Sequence, residues 1–230
     1  MFRKEDITTI FMDVDDTLLD FKECAREDVR NCCVKNDITY SDDLFEFFLS
    51  RNVILWKRIE DGLLTVDELH RTRWAGIFRD LGIEADGPAF ENDFIAGLRE
   101  TSVPVEGAHE VMEYLHSRYK LYVVSNASNL QQTTRLRKAG LMQYVNGVFG
   151  SLDIGFIKPS REYFDYCFSQ LGGTTPLQTV IVGDSLNADI SGGIAYGLRT
   201  IWFNIRNVEP SDSTFPDFTI HSLSELGSLL

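Results

Sequence analysis

Three aspartates, Asp13, Asp15 and Asp16, lie within four residues near the start of the chain, directly after the apolar run at 7–12. Carboxylates at the edge of a core are paired or bind a ligand, because an unpaired buried charge is costly. Mg²⁺ prefers one or two carboxylates, with water and phosphate oxygens as its other ligands. The segment therefore predicts a magnesium site. The alternative is an acidic turn in which Asp16 and Thr17 cap a helix.

Polar side chains also follow later apolar runs. Ser125 and Asn126 come directly after one such run, Asp184 comes after another, and Lys158 precedes a predicted helix. From residue 102 onward, apolar strands alternate with helices, which is typical of a parallel sheet covered by helices on both faces. Ligands bind such a sheet at the carboxyl ends of its strands. We therefore expect these polar groups to meet at one crevice.

Each group taken alone also has a structural explanation. Ser125-Asn126 is compatible with an ordinary strand-to-loop turn, and Lys158 with a surface turn. Asp184 is compatible with a helix N-cap, and Asp189 with a charge on a solvated helix face. Their order along the chain, each at a strand end or in a loop, is more specific than any one of them.

Asp13 and Asp15 are two residues apart, so an extended backbone places both side chains on the same side. One carboxylate can attack phosphorus and form an aspartyl-phosphate. The other can protonate the leaving oxygen and then accept a proton from water, which contributes about 10²–10⁴ in rate. The pair is therefore suited to phosphate ester chemistry.

The remaining groups supply what this chemistry needs around the phosphate. Asp184 completes a metal site, whose cation would neutralise and orient the phosphate. Ser125 offers a hydroxyl to a phosphate oxygen, and Lys158 supplies a positive charge. Asp189 is expected to hold a metal-bound water or to orient the lysine.

Composition excludes some classes of partner. The chain has 230 residues, a net charge of −13 and a pI of about 4.7, which disfavours nucleic acid and anionic membranes as partners. No segment predicts a membrane span or a secretory signal. The four cysteines lack metal-site spacing and are expected to be free thiols in a reducing cytoplasm. We therefore expect a cytoplasmic protein, either a monomer or a homodimer, that binds a small molecule.

The stretch from about residue 20 to 100 differs from the rest because it contains no convincing strand. Apolar residues recur at helical spacing, and Thr65 with Glu68 predicts a capping box for a helix that ends near Gly82. Aromatic residues are frequent there, and most are expected to form the core of this helical module. Trp56 is the exception that we expect to contact substrate.

Four short motifs occur in order along the chain: Asp13-Val14-Asp15-Asp16-Thr17, Ser125-Asn126, Lys158-Pro159, and Gly183-Asp184 followed by Asp189. Together they resemble the motifs of the haloacid dehalogenase-like (HAD) superfamily, over essentially the whole chain. The resemblance implies an α/β fold with a Rossmann-like core, a central parallel sheet covered by helices, and an inserted α-helical cap of the C1 type. The core would comprise residues 1–18 and 102–230, and the cap residues 19–101.

The resemblance also implies roles for the residues of the first and fourth motifs. Asp13 would be the nucleophile and a metal ligand, and Asp184 another metal ligand. Asp15 would be the general acid and base and would give its backbone carbonyl to the metal, Mg²⁺ or alternatively Mn²⁺. Thr17 and Asp189 would position these groups without binding the metal or the phosphate themselves.

The second and third motifs would bind the phosphate, through Ser125, Asn126 and Lys158, with Ser125 and Lys158 also counted as catalytic. Dehalogenases of the superfamily usually lack the second aspartate of the first motif. Its presence as Asp15 favours phosphate chemistry over carbon–halogen cleavage.

Within the superfamily the chain is similar to the YjjG-type bacterial pyrimidine 5′-nucleotidases. The similarity includes the stretches Leu130-Gln131-Gln132 and Arg135-Leu136 after the second motif. Two departures, Ala127 in place of glycine and Asp153 in place of glutamate, lie near the expected substrate entrance. The resemblance thus implies a Mg²⁺-dependent phosphomonoesterase that acts on pyrimidine nucleoside 5′-monophosphates. The alternatives are a sugar-phosphate or phosphoglycolate phosphatase, a phosphoglucomutase-like enzyme, or a non-catalytic HAD binding module.

Overall fold

The computed structural model describes residues 3–209 and 214–230. The chain forms two compact units. One contains the segment up to Asp20 together with Ser102–Leu230, and the other is Phe21–Thr101. We call them the sheet unit and the helical unit. The assignment of the helical unit as a cap stays a prediction.

Over its described residues, the sheet unit is built on six parallel strands in the order β3-β2-β1-β4-β5-β6. The strands are β1 (Thr9–Met12), β2 (Lys120–Ser125), β3 (Gly147–Gly150), β4 (Thr179–Gly183), β5 (Arg199–Phe203) and β6 (Phe218–Ile220). Strand order reverses between β1 and β4, and parallel sheets bind ligands outside the carboxyl ends at such a point. The predicted α/β fold with a central parallel sheet is confirmed.

Helices cover both faces of this sheet. They are α5 (Ala108–His116), α6 (Asn129–Lys138), α7 (Ser151–Ile154), α8 (Arg161–Ser169), α9 (Gly192–Tyr196) and α10 (Leu226–Leu229). Side chains alternate across β1: Ile10 and Met12 belong to the core that includes residues of α5, α6 and α10. Phe11 belongs to the opposite core, with Phe164 of α8. All of β1 is therefore buried, as its continuous apolar sequence predicts.

The helical unit consists of α1 (Phe21–Lys35), α2 (Asp42–Glu60), α3 (Val66–Leu81) and α4 (Gly87–Leu98). The predicted capping box is present at the start of α3, where Thr65 and Glu68 exchange hydrogen bonds, and Gly82 ends the helix in the left-handed conformation. Trp74 stacks on Phe48 with ring centroids 5.0 Å apart. Most of the aromatic residues of this unit therefore form its core, as expected.

The four cysteines are buried and free. Within the described ranges, no helix is both long and apolar enough to cross a membrane.

Asp28 is a buried carboxylate in the core of the helical unit. One of its oxygens, Oδ2, has no hydrogen-bond partner among the described residues, and the other lies 3.7 Å from the Cys32 thiol. Burial raises the pKa of Asp28 to about 7. The unfolded chain releases this proton near pH 4, so folding retains it between about pH 4 and 7. The contribution of Asp28 to the free energy of unfolding is therefore fully present below pH 4 and is lost as the pH rises to 7.

We predict that Asp28→Asn removes this loss of stability between pH 4 and 7. At pH 8 the variant should be more stable than the wild type by up to about 4 kcal/mol, since one pKa unit corresponds to about 1.4 kcal/mol. Urea unfolding between pH 4 and 8 measures the effect. Glu84→Gln, at an exposed carboxylate of the same unit, is the control and should leave the pH slope unchanged. An unaltered slope in Asp28→Asn would contradict the prediction.

Candidate active site

Acidic side chains meet at the carboxyl ends of β1 and β4. The Asp13 amide continues the ladder of β1 by donating to the Val182 carbonyl at 2.9 Å. Asp184 directly follows the last residue of β4. Carboxylate oxygens of Asp13, Asp184 and Asp189 all lie within 4.8 Å of one another. The structure thus brings together three of the residues selected from the sequence.

Asp189 reaches this cluster from a widened helical turn. A single π-helical turn, Leu186–Ser191, precedes α9, and the Ser185 hydroxyl caps it by accepting from the Ala188 amide. The Asp189 carboxylate accepts from the Ser185 amide at 3.1 Å and from the Lys158 ammonium at 2.6 Å. Ser185 is therefore the N-cap, which removes the alternative role suggested for Asp184. Asp189 orients the lysine and is not a solvated surface charge.

Lys158 is buried at the centre of the site. Its ammonium donates to Asp13 at 2.8 Å, to Asp189 at 2.6 Å and to the Val124 carbonyl at 2.9 Å. The Asn126 side chain fixes the Lys158 backbone by accepting from its amide at 2.8 Å and donating to its carbonyl at 3.0 Å. The surface-turn alternative for Lys158 is wrong. Asn126 positions the lysine, and the phosphate contact predicted for Asn126 stays a prediction.

Burial and close charges oppose each other in this cluster. Burial alone would lower the pKa of Lys158, but Asp13 and Asp189 raise it above its ordinary value, so the ammonium stays charged. Burial raises the pKa of Asp13 to about 7 against the lowering effect of Lys158. Burial, followed by the charge of Asp13, also raises the pKa of Asp184 well above its usual range. The protein alone leaves this group of carboxylates short of positive charge.

The donor set fits a divalent cation. The Lys158 ammonium contacts two of the three carboxylates, those of Asp13 and Asp189, whereas the Asp184 carboxylate has no hydrogen bond or ion pair with the described residues. Hard cations such as Mg²⁺ and Mn²⁺ bind oxygen ligands of this kind. A cation beside Asp13 and Asp184 would favour their ionised forms.

Asp15 lies outside this cluster. Its carboxylate accepts from the Arg135 guanidinium at 2.5 Å and from the Gln132 amide at 2.8 Å. The side chain is about one-third exposed at 32%, whereas Arg135 is fully buried. The same Gln132 nitrogen donates to the Ser125 hydroxyl at 2.8 Å. Two aspartates of one motif thus face different surroundings: one faces an ammonium and carboxylates, the other a guanidinium and an amide.

Two further residues of the predicted site, Thr17 and Trp56, and the neighbouring Asp16 are placed as follows. Thr17 is buried, and its hydroxyl has no hydrogen-bond partner in the described chain. Asp16, expected to cap or turn the chain, has a left-handed backbone with φ of 61° and pairs with Arg206. Trp56 lies on α2 of the helical unit and is half-buried. Its contact with substrate stays a prediction.

Gln132 and Arg135 have no role predicted from the sequence, where they are only part of the stretches that carry the resemblance. Both are buried polar residues three positions apart on α6, so they share one helix face. The sequence does not show which face of α6 is buried, because the helix has polar residues on all sides. The signal available in the sequence was the spacing of the two residues, shortly after Ser125.

A family model for haloacid dehalogenase-like hydrolases matches residues 7–197. The chain belongs to the haloacid dehalogenase-like hydrolase family. The prediction of a HAD hydrolase is therefore confirmed, and the chain is an enzyme of that family.

Several relatives align over nearly the whole chain. YfnB of Bacillus subtilis, named as a HAD-hydrolase, is 35% identical and covers 96% of this chain and 94% of its own. The pyrimidine 5′-nucleotidase PynA of Streptococcus pneumoniae is 32% identical, covering 94% and 92%. The pyrimidine 5′-nucleotidase YjjG of Escherichia coli is 29% identical, covering 96% of each chain. The predicted similarity to this group of nucleotidases is confirmed.

Solved structures agree with the fold. The crystal structure of YfnB bound to magnesium superposes with a TM-score of 0.93 at 34% identity, covering 97% of this chain and 98% of its own. An L-2-haloacid dehalogenase from Xanthobacter autotrophicus superposes with a TM-score of 0.76 at 16% identity, covering 97% and 98%. The second likeness is one of fold alone.

Gly183, the last residue of β4, leaves room for the Asp189 carboxylate. A Cβ at this position would lie 2.2 Å from Asp189 Oδ2. We predict that Gly183→Ala displaces the carboxylate from Lys158 and lowers the free energy of unfolding by about 1–3 kcal/mol, a typical cost of overpacking. Urea unfolding measures this.

Gly227→Ala is the matched control. A Cβ there meets no atom within 4 Å, and the residue lies in α10, where alanine is favoured over glycine. The control should be as stable as the wild type or slightly more stable. Equal stability of Gly183→Ala and the wild type would contradict the prediction.

Proposed function

We propose that the protein is a Mg²⁺-dependent phosphomonoesterase that acts through an aspartyl-phosphate on Asp13, with pyrimidine nucleoside 5′-monophosphates as substrates. The observation that supports this most strongly is the separation of Asp13 and Asp15. Two carboxylates with different surroundings can perform different roles, one as nucleophile and one as acid and base. Asp13 faces Lys158 and the acidic cluster, and Asp15 faces Arg135 and Gln132.

In the first half of the reaction, a carboxylate oxygen of Asp13 attacks phosphorus and the bond from phosphorus to the ester oxygen breaks. Asp15 in its protonated form gives its proton to the departing oxygen, which leaves as an alcohol. The products of this step are the aspartyl-phosphate and an ionised Asp15.

In the second half, the Asp15 carboxylate accepts a proton from water while the water oxygen attacks phosphorus. The bond from phosphorus to Asp13 breaks and inorganic phosphate is released. Asp13 is again a carboxylate and Asp15 is again protonated, so both groups return to their starting states.

Other residues keep the phosphate and the nucleophile in place. Lys158 holds Asp13 by a hydrogen bond and brings a positive charge to the phosphate, and Asp189 orients Lys158. Ser125 donates its hydroxyl to a phosphate oxygen. The metal, when bound, would be held by Asp13, Asp184 and the Asp15 carbonyl and would neutralise charge on the phosphate.

The choice of substrate rests on the relatives. PynA and YjjG, both pyrimidine 5′-nucleotidases, align with 94% and 96% of the chain. We assign residues 19–101 as a cap that selects the substrate, with Trp56 stacking on the base. Trp56 is half-buried, whereas Phe48 and Trp74 are fully enclosed in the core of the helical unit. The four free buried cysteines suit a cytoplasmic enzyme.

Sugar phosphates are the second candidate substrates. A glyceraldehyde 3-phosphate phosphatase of Pyrococcus furiosus is 25% identical over 97% of this chain. The departure at Asp153 lies against the start of α6, where its carboxylate accepts from the Asn129 amide at 2.6 Å. A non-catalytic binding module is disfavoured, because Asp13, Asp15, Lys158 and Asp184 are all present.

A panel of phosphate esters tests the proposal. We expect dUMP, dTMP and UMP to have higher kcat/KM than ribose 5-phosphate, phosphoglycolate and glucose 1-phosphate. EDTA should abolish turnover and Mg²⁺ should restore it, with Mn²⁺ as the comparison ion. Nucleotides turned over no faster than the sugar phosphates would contradict the nucleotidase assignment. Activity that is indifferent to EDTA would contradict the metal requirement.

A further inference from the structure

Gln132 and Arg135 join two motifs of the site through a buried hydrogen-bond network. Arg135 Nη1 donates to Asp15 Oδ1 at 2.5 Å and to Gln132 Oε1 at 3.2 Å. Gln132 Nε2 donates to Asp15 Oδ2 and to Ser125 Oγ, both at 2.8 Å. Gln132 and Arg135 are fully buried. Both oxygens of the Asp15 carboxylate are therefore held by side chains of a single helix, α6.

The guanidinium fixes the orientation of the amide. Arginine has only donors, so the Gln132 oxygen must face it, and the Gln132 nitrogen must face the opposite way. The nitrogen carries two protons, which match its two acceptors, Asp15 and Ser125. The network thus has one consistent direction, from Arg135 through Gln132 to both site residues.

This direction determines what the Ser125 hydroxyl can do. Its oxygen accepts from the Gln132 amide at 2.8 Å and from the Ala127 backbone amide at 3.2 Å. A hydroxyl oxygen has two lone pairs, so both are occupied and its proton remains to be donated. Ser125 is therefore prepared to donate to an anionic oxygen, as a phosphate requires.

We propose that Gln132 and Arg135 are positioning residues, which hold the Asp15 carboxyl group for proton transfer to the ester oxygen and fix Ser125 as a donor. The inference rests on the proposed phosphatase function and extends it to two residues that do not touch the phosphate. Positioning of this kind matters because a small misplacement of a catalytic group is costly in rate.

The inference predicts dependence on the leaving group. An alkoxide leaves only when it is protonated, so an alkyl ester needs Asp15 in place. A nitrophenolate is stable without a proton, so an aryl ester does not need the acid. Loss of the network should therefore affect alkyl phosphates far more than p-nitrophenyl phosphate.

The test compares kcat/KM for dUMP and ribose 5-phosphate, as alkyl esters, with kcat/KM for p-nitrophenyl phosphate. The variants are Gln132→Met, which keeps the size but removes both donors, and Arg135→Lys, which keeps the charge but loses the planar fork. Gln143→Met and Arg137→Lys are exposed controls on the same unit. We expect a loss of about 10²-fold or more on the alkyl esters and of less than about 10-fold on the aryl ester. The controls should behave as the wild type.

A double variant separates positioning from general damage. In Asp15→Asn the acid is already absent, so adding Gln132→Met should have only a small further effect on kcat/KM for the alkyl esters. This further loss should be no larger than the loss that Gln132→Met alone causes on the aryl ester, because residues acting as a unit are not additive. The inference would be overturned if kcat/KM fell equally for both ester classes, or if neither single variant lost activity. In both cases the proposed phosphatase function of the wild type would be unaffected. A wild type inactive on all three esters would overturn the proposed function and this inference with it.

Discussion

One buried ammonium holds the site together. Lys158 binds Asp13 after β1, Asp189 after β4 and the carbonyl of Val124 in β2, so a single side chain joins three neighbouring strands at their carboxyl ends. Buried ion pairs of this kind add little net stability, but breaking one leaves an unpaired charge in the interior. The interaction therefore specifies geometry: it fixes where the Asp13 carboxylate points and how closely the carboxylates approach one another.

The strand order makes this geometry available. β1 and β4 are neighbours on opposite sides of the reversal in strand order, so the residues that follow them open onto one crevice. The chain then separates its two aspartates. Asp13 faces the buried Lys158, while Asp15 faces α6 and its buried Gln132 and Arg135. One short motif thus contributes to two different environments, as the proposed division between nucleophile and acid requires.

Much of this could be predicted from the sequence. Continuous apolar runs that end in polar residues identified the strands, and the rule for parallel sheets brought Asp13, Asp184 and Lys158 together. The capping box at Thr65 was predicted because both partners lie within one turn. The network around Asp15 could not be predicted, because it depends on which face of α6 is buried, and a helix with polar residues on all sides does not reveal that. The widened turn that carries Asp189 was also missed, since no residue pattern distinguishes a π turn from an α-helix.

The central claim is that the phosphoryl group is transferred to Asp13. Rapid acid quenching of the enzyme during turnover of a phosphate ester labelled at phosphorus, followed by peptide mapping, tests it most directly. The account predicts label on the peptide that contains Asp13, and neither label nor turnover in Asp13→Asn. Label on a different residue, or undiminished turnover in Asp13→Asn, would contradict it.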